Sequence, residues 1–87
     1  MGGLIGFNET TFTSRFSLVI SNPDNATEAG TYFMSGGNVT QHDDAFLLLV
    51  FCGDRFIIQM YHELNYTSLG HRKSIDGGKN WSKWEVI

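Results

Sequence analysis

From Phe46 to Phe51 every residue is apolar, and from Arg55 to Leu64 apolar residues sit on alternate positions mixed with Gln, His and Glu. An apolar run this short, bounded by turn residues, predicts a strand, and the alternation in the second run has the two-residue period of a pleated strand. Further runs at 31–35, 69–75 and 81–87 are separated by Gly36-Gly37-Asn38, Asn65 to Ser68 and Asp76-Gly77-Gly78. Gly53-Asp54 between two apolar runs predicts a two-residue hairpin with glycine in the left-handed position. The chain thus reads as an antiparallel β meander. Ahead of it, Phe12, Phe16, Leu18 and Ile20 share the even positions and favour a leading strand, with a short helix capped at Thr13 or Ser14 or a linker as alternatives, and the only proline, Pro23, lies in a turn-rich break after them. The organisation expected is a leading segment over 1–22 and a β domain over 23–87.

In the 55–64 run the even face carries Phe56, Ile58, Met60 and Leu64 and the odd face Ile57, Gln59 and Tyr61. Alternation makes the first the core face and the second amphipathic. The preceding run has no polar alternate, so both of its faces, including Leu47 and Leu49, need cover. Two occupants satisfy that need: another subunit, or the leading segment of the same chain. With another subunit, Ile57, Gln59, Tyr61, Leu47 and Leu49 form the interface.

Composition sharpens the class. Val, Ile, Thr, Tyr, Phe and Trp supply 29 of the 87 residues, which argues for an all-β or mainly β domain. With a net charge of −3 and six scattered Lys and Arg, no basic stripe exists for nucleic acid. The longest apolar run is far too short to cross a membrane. One cysteine, Cys52, makes no internal disulfide, so a chain this small needs another source of stability, and oligomerisation is the expected one. His42-Asp43-Asp44 lacks a third ligand nearby and reads as a solvated loop, His62-Glu63 lacks a nucleophile, and no cofactor is expected.

Ser74-Ile-Asp-Gly-Gly-Lys-Asn-Trp81 fits S-x-D-x-G-x-x-W, the Asp-box. In it the Asp76 carboxylate can accept turn amides, Gly78 relieves a left-handed position and Trp81 packs back over the hairpin, a structural role and not a catalytic one. Sialidases carry such boxes on propeller blades, but a propeller needs at least four blades of four strands, more than 87 residues can build. Followed by Trp81-Ser-Lys-Trp84-Glu-Val-Ile87, the box resembles the C-terminal stretch of the pyocin-knob module of bacteriophage tail-fibre and pyocin-fibre proteins. Gly30-Thr31-Tyr32-Phe33 resembles that module's opening strand, preceded by the Asn25-Ala-Thr27 turn. Leu47 to Val50, Ile58-Gln59-Met60-Tyr61 and His71-Arg72-Lys73-Ser74 resemble its later strands, so the likeness runs over 24–87. His71 stands where an aromatic is usual, and the first 22 residues match nothing in the module, which adds the end of a fibre shaft to their alternatives.

The resemblance implies a non-enzymatic homotrimeric knob at the tip of a virion fibre, joined to the fibre shaft and facing bacterial saccharide or teichoic acid outside the host cell. Tyr66, Arg72 and Trp84, on or beside the two late strands, are the expected glycan contacts, offering stacking rings and a rigid fork of donors. A small monomeric carbohydrate-binding module and a fragment of an Asp-box glycan-active enzyme are the competing expectations.

Overall fold

The computed structural model describes residues 22–35 and 38–87. The expected leading strand through Phe12, Phe16, Leu18 and Ile20 and the Gly36-Gly37 turn lie outside these residues. Five antiparallel strands form one sheet in sequence order: β1 Gly30–Met34, β2 Phe46–Gly53, β3 Phe56–Glu63, β4 Leu69–Ser74 and β5 Glu85–Val86. The protein is therefore mainly β, and among the described residues a 3-10 turn at Pro23–Asn25 precedes the sheet. Asn22 caps that turn by accepting the Asp24 N–H on its side chain at 3.0 Å. The last run is a strand for only two residues, because Trp81 to Trp84 leave the ladder to lie over the sheet.

The β2–β3 hairpin differs from expectation by one position. Gly53 pairs with Phe56, so the loop is Asp54-Arg55, and Asp54, not Gly53, takes the left-handed backbone at φ 57°. Aspartate tolerates that conformation better than most residues, since its short side chain bonds locally.

The two sheet faces are exchanged relative to the sequence reading. Ile57, Gln59 and Tyr61 lie on the covered face, all buried, while Phe56 and Ile58 on the even face are 46% and 38% exposed. The core gathers Tyr32, Met34, Phe46, Leu48, Val50, Ile57 and Tyr61 from the sheet with Ala26 from the preceding loop, and Val39, Trp81 and Trp84 pack against it. Counting apolar residues favoured the even face, but the polar members of the odd face are not wet. Gln59 donates from Nε2 to the Pro23 and Ala26 carbonyls at 2.7 and 2.9 Å and accepts from Arg72 Nε at 2.7 Å. A buried amide with its capacity met in this way removes the penalty that keeps Gln at surfaces. Ile57, Gln59 and Tyr61, expected at a subunit interface, are thus buried within one chain, whereas Leu47 and Leu49 lie half-buried on the opposite face.

Tyr61 is the hub of this core: its ring meets Phe46 at 5.7 Å and Trp84 edge-on at 5.3 Å. Across the ladder it pairs with Gly70, where an added Cβ would stand 2.6 Å from the tyrosine ring. Because that ring is locked by its neighbours, Gly70→Ala is expected to cost about 1–3 kcal/mol. Urea unfolding checks this: a lower midpoint at unchanged slope is the expected result, and an unchanged midpoint shows that the Tyr61 ring moves freely.

Candidate functional site

Two polar clusters stand out from the sheet. The first is built on Arg72, near the middle of β4 on the covered face and only 7% exposed. Its guanidinium carbon sits 4.1 Å from the Trp81 ring centre and 4.5 Å from that of Trp84. Nε donates to Gln59, and Nη2 stands 2.7 Å from Asp24 Oδ1 as an ion pair. Burial lowers the guanidinium pKa from its usual value, and the contact with Asp24 opposes that fall. Arginine suits the position because its planar cation stacks on aromatic faces while its edge bonds.

The Asp-box delivers the two indoles. Ser74 Oγ donates to Asp76 Oδ1 at 2.8 Å and accepts the Gly78 N–H at 2.9 Å. Asp76 accepts the Asn80 backbone N–H at 2.9 Å and its side-chain amide at 2.7 Å. These bonds, those from Asn80 first, hold the Asp76 carboxyl at a pKa of about 2. Gly77 and Gly78 both have left-handed φ, 73° and 94°, and a Cβ on Gly78 would also approach Thr27 Cγ2 to 2.9 Å. After the box, Ser82 bonds Lys73 in both directions: Lys73 N–H to Ser82 Oγ and Ser82 N–H to the Lys73 carbonyl, each 2.9 Å. The tail therefore returns antiparallel along β4, placing Trp81 and Trp84 on either side of the Ser82–Lys73 anchor and over Arg72. Ser74, Asp76 and the Gly78 amide are thus bonded within one turn, and Trp81 packs against the core.

The second cluster joins the loop before β2 to the β3–β4 turn. Glu63, 1% exposed, accepts the His42 backbone N–H at 2.9 Å and meets His42 Nδ1 at 2.6 Å. Burial pushes the Glu63 carboxyl upward, but its bonds to His42, with a further one from Thr40, outweigh that and leave its pKa below the usual value. The His42 ring is stacked on Tyr66 at 3.8 Å with 12° between planes. Asp44 accepts the Asn65 backbone and side-chain N–H groups at 2.7 and 2.8 Å, and those bonds lower its pKa. The loop that read as solvated is thus fastened to the next turn.

The expected glycan residues separate accordingly. Arg72 and Trp84 meet, but as an internal stack in which Arg72 is covered, while Tyr66 belongs to the second cluster and remains 50% exposed. His42 and Glu63 were not foreseen as partners. The one local signal was a charged residue on the inward alternation of β3, at the position two after Tyr61. Among the described residues no three His, Cys, Asp or Glu side chains gather around a point suited to a metal ion.

No family model matches the chain, and neither a curated protein nor a solved structure is similar to it. Fold and geometry together define the class: a five-stranded antiparallel sheet closed on one face by an Asp-box hairpin and its tryptophan tail.

Two changes test the box. Ser74→Ala removes the acceptor of the part-buried Gly78 N–H and one of the bonds on the Asp76 carboxylate, and is expected to cost about 1–3 kcal/mol by chemical unfolding. Asp76 has a folded pKa near 2 against 3.8 for the free side chain, so its contribution is present above the higher value and is lost as pH falls through the lower one. Thermal melts of wild type and Asp76→Asn between pH 5 and about 2 should therefore converge as pH falls. Parallel curves would show that the carboxylate is not bonded in the folded state.

Proposed function

We propose that this chain is the knob of a phage tail or head fibre: three copies associate at the fibre tip, are carried by the shaft, and attach outside the host cell to saccharide or teichoic acid on a bacterial surface. The observation that carries the reading is the outer sheet face. Phe56 and Ile58 are exposed there, and Leu47, Leu49, Phe51 and Met60 are only half-buried. These residues come from β2 and β3, neighbours at the centre of the sheet, so they form one continuous surface. Contiguous exposed apolar surface on a small soluble domain marks an interface. A cyclic trimer offers each copy a neighbour on that face and brings three equivalent surfaces to one tip, where weak contacts act together.

The Asp-box supports the same reading by its role. It braces the C-terminal tail against the sheet and supplies no nucleophile or acid–base pair, which fits an adhesive part and not a hydrolase. The resemblance over 24–87 to the pyocin-knob module points the same way.

Size-exclusion chromatography with light scattering tests the assembly. The expected mass is three times the 9.8 kDa of one chain. Leu49→Lys places a charge in the centre of the outer face without touching the core, and is expected to yield a monomer with the wild-type β circular dichroism. A wild-type protein that is monomeric at micromolar concentration would favour the small monomeric carbohydrate-binding module and remove the trimeric knob.

A further inference from the structure

We propose that the Tyr66–His42 stack is a contact platform for an uncharged hexopyranose unit. This inference rests on the reading of the chain as an adhesive tip and narrows its ligand. It starts from an unusual expenditure of bonds on a surface loop. Residues 40–44 and 63–68 are tied by Glu63 to His42, by Asp44 to Asn65, by the Leu64 N–H to the Ala45 carbonyl at 2.9 Å and by Ser68 Oγ to Gln41 Oε1 at 3.1 Å. What these bonds hold in place is a pair of flat rings, one of them half exposed.

A rigid ring offered to solvent is an efficient contact because little side-chain entropy remains to be lost on binding. The C–H face of a pyranose suits such a ring, and its hydroxyl rim needs polar partners beside it. Those partners are present. With Glu63 bonded to Nδ1, the other ring nitrogen, Nε2, is left to bond a sugar hydroxyl, which can both donate and accept. Gln41, Asp43 and Asn65 are exposed on the same two segments.

Charge selects among saccharides. The two segments hold Asp43, Asp44 and Glu63 and no Lys or Arg. A sugar bearing phosphate or carboxylate meets repulsion from them, whereas an uncharged ring does not. Lys73 and Lys83 lie elsewhere, lining a shallow cleft of about 330 Å³ with Ile58, His71, Ser82 and Glu85. That cleft is the natural rival site for an anionic ligand.

The test is an NMR titration of the isotopically labelled full chain with methyl glucopyranoside, methyl galactopyranoside, methyl N-acetylglucosaminide and, as the anionic probe, glycerol 3-phosphate. The expected result is movement of the Tyr66 and His42 ring signals with at least one of the three uncharged sugars. Tyr66→Ala should weaken that binding by about fivefold or more, and Tyr66→Phe should preserve it, with the remaining spectrum of both variants unchanged. Ring signals that respond to none of the uncharged sugars overturn the proposal. So does a response confined to glycerol phosphate and centred on Lys73 and Lys83. A trimer that still adheres to host cells after Tyr66→Ala removes the platform and leaves the fibre reading standing. A monomer whose Tyr66 signals respond to sugar keeps the platform and removes the fibre reading.

Discussion

A buried guanidinium is the constraint on which the rest of this small domain depends. Taking the Arg72 cation out of water carries a desolvation cost of several kcal/mol, which only close partners on all sides offset. Two indole faces, the Gln59 carbonyl oxygen and the Asp24 carboxylate supply them. Each partner belongs to a different piece of chain, so satisfying one charge fastens the loop at Pro23–Asn25, β3, β4 and the C-terminal tail to a common point. The cost of this solution is visible at two atoms: Trp81 Nε1 is buried without a hydrogen-bond partner, and Arg72 Nη2 meets Asp24 as an ion pair without hydrogen-bond geometry. The Trp81 ring is placed for its face, not for its N–H.

The Asp-box makes that placement possible. Its turn reverses the chain after β4, and the Ser82–Lys73 bonds set the register in which the Trp81 and Trp84 rings both reach Arg72. With the inner face closed in this way, the outer face of β2 and β3 keeps Phe56 and Ile58 exposed, and Tyr66 stays exposed in the turn after β3. A chain of 87 residues is small enough for one core, and the sheet of the described residues has two faces.

Local chemistry was legible in the sequence, and long-range chemistry was not. The four longer strands follow from short runs bracketed by Gly, Asn and Asp, apolar in β2 and β3, and the box follows from a motif whose bonds all close within six residues. The facing of β3 was read in reverse because its polar inward residues, Gln59 and Glu63, find partners more than twenty residues away, at Pro23, Ala26 and His42. Alternation ranks positions by apolarity and has no knowledge of such partners. The same blindness assigned Arg72 to a glycan rim, since a lone arginine on a strand is ordinarily solvated, and missed the pairing of His42 with Glu63. The one-residue shift of the hairpin is of another kind: Gly53 and Asp54 both tolerate a left-handed backbone, and the pairing of Gly53 with Phe56 decided between them.

Solvent exchange of the Arg72 Nε–H, followed by NMR, tests the central claim most directly. A guanidinium held between two indoles and bonded to Gln59 should show a slowly exchanging Nε–H, with cross-relaxation to the Trp81 and Trp84 ring protons and protection that is lost only on global unfolding. An Arg72 Nε–H that exchanges as fast as that of the exposed Arg55, with no contact to either indole, would contradict the account.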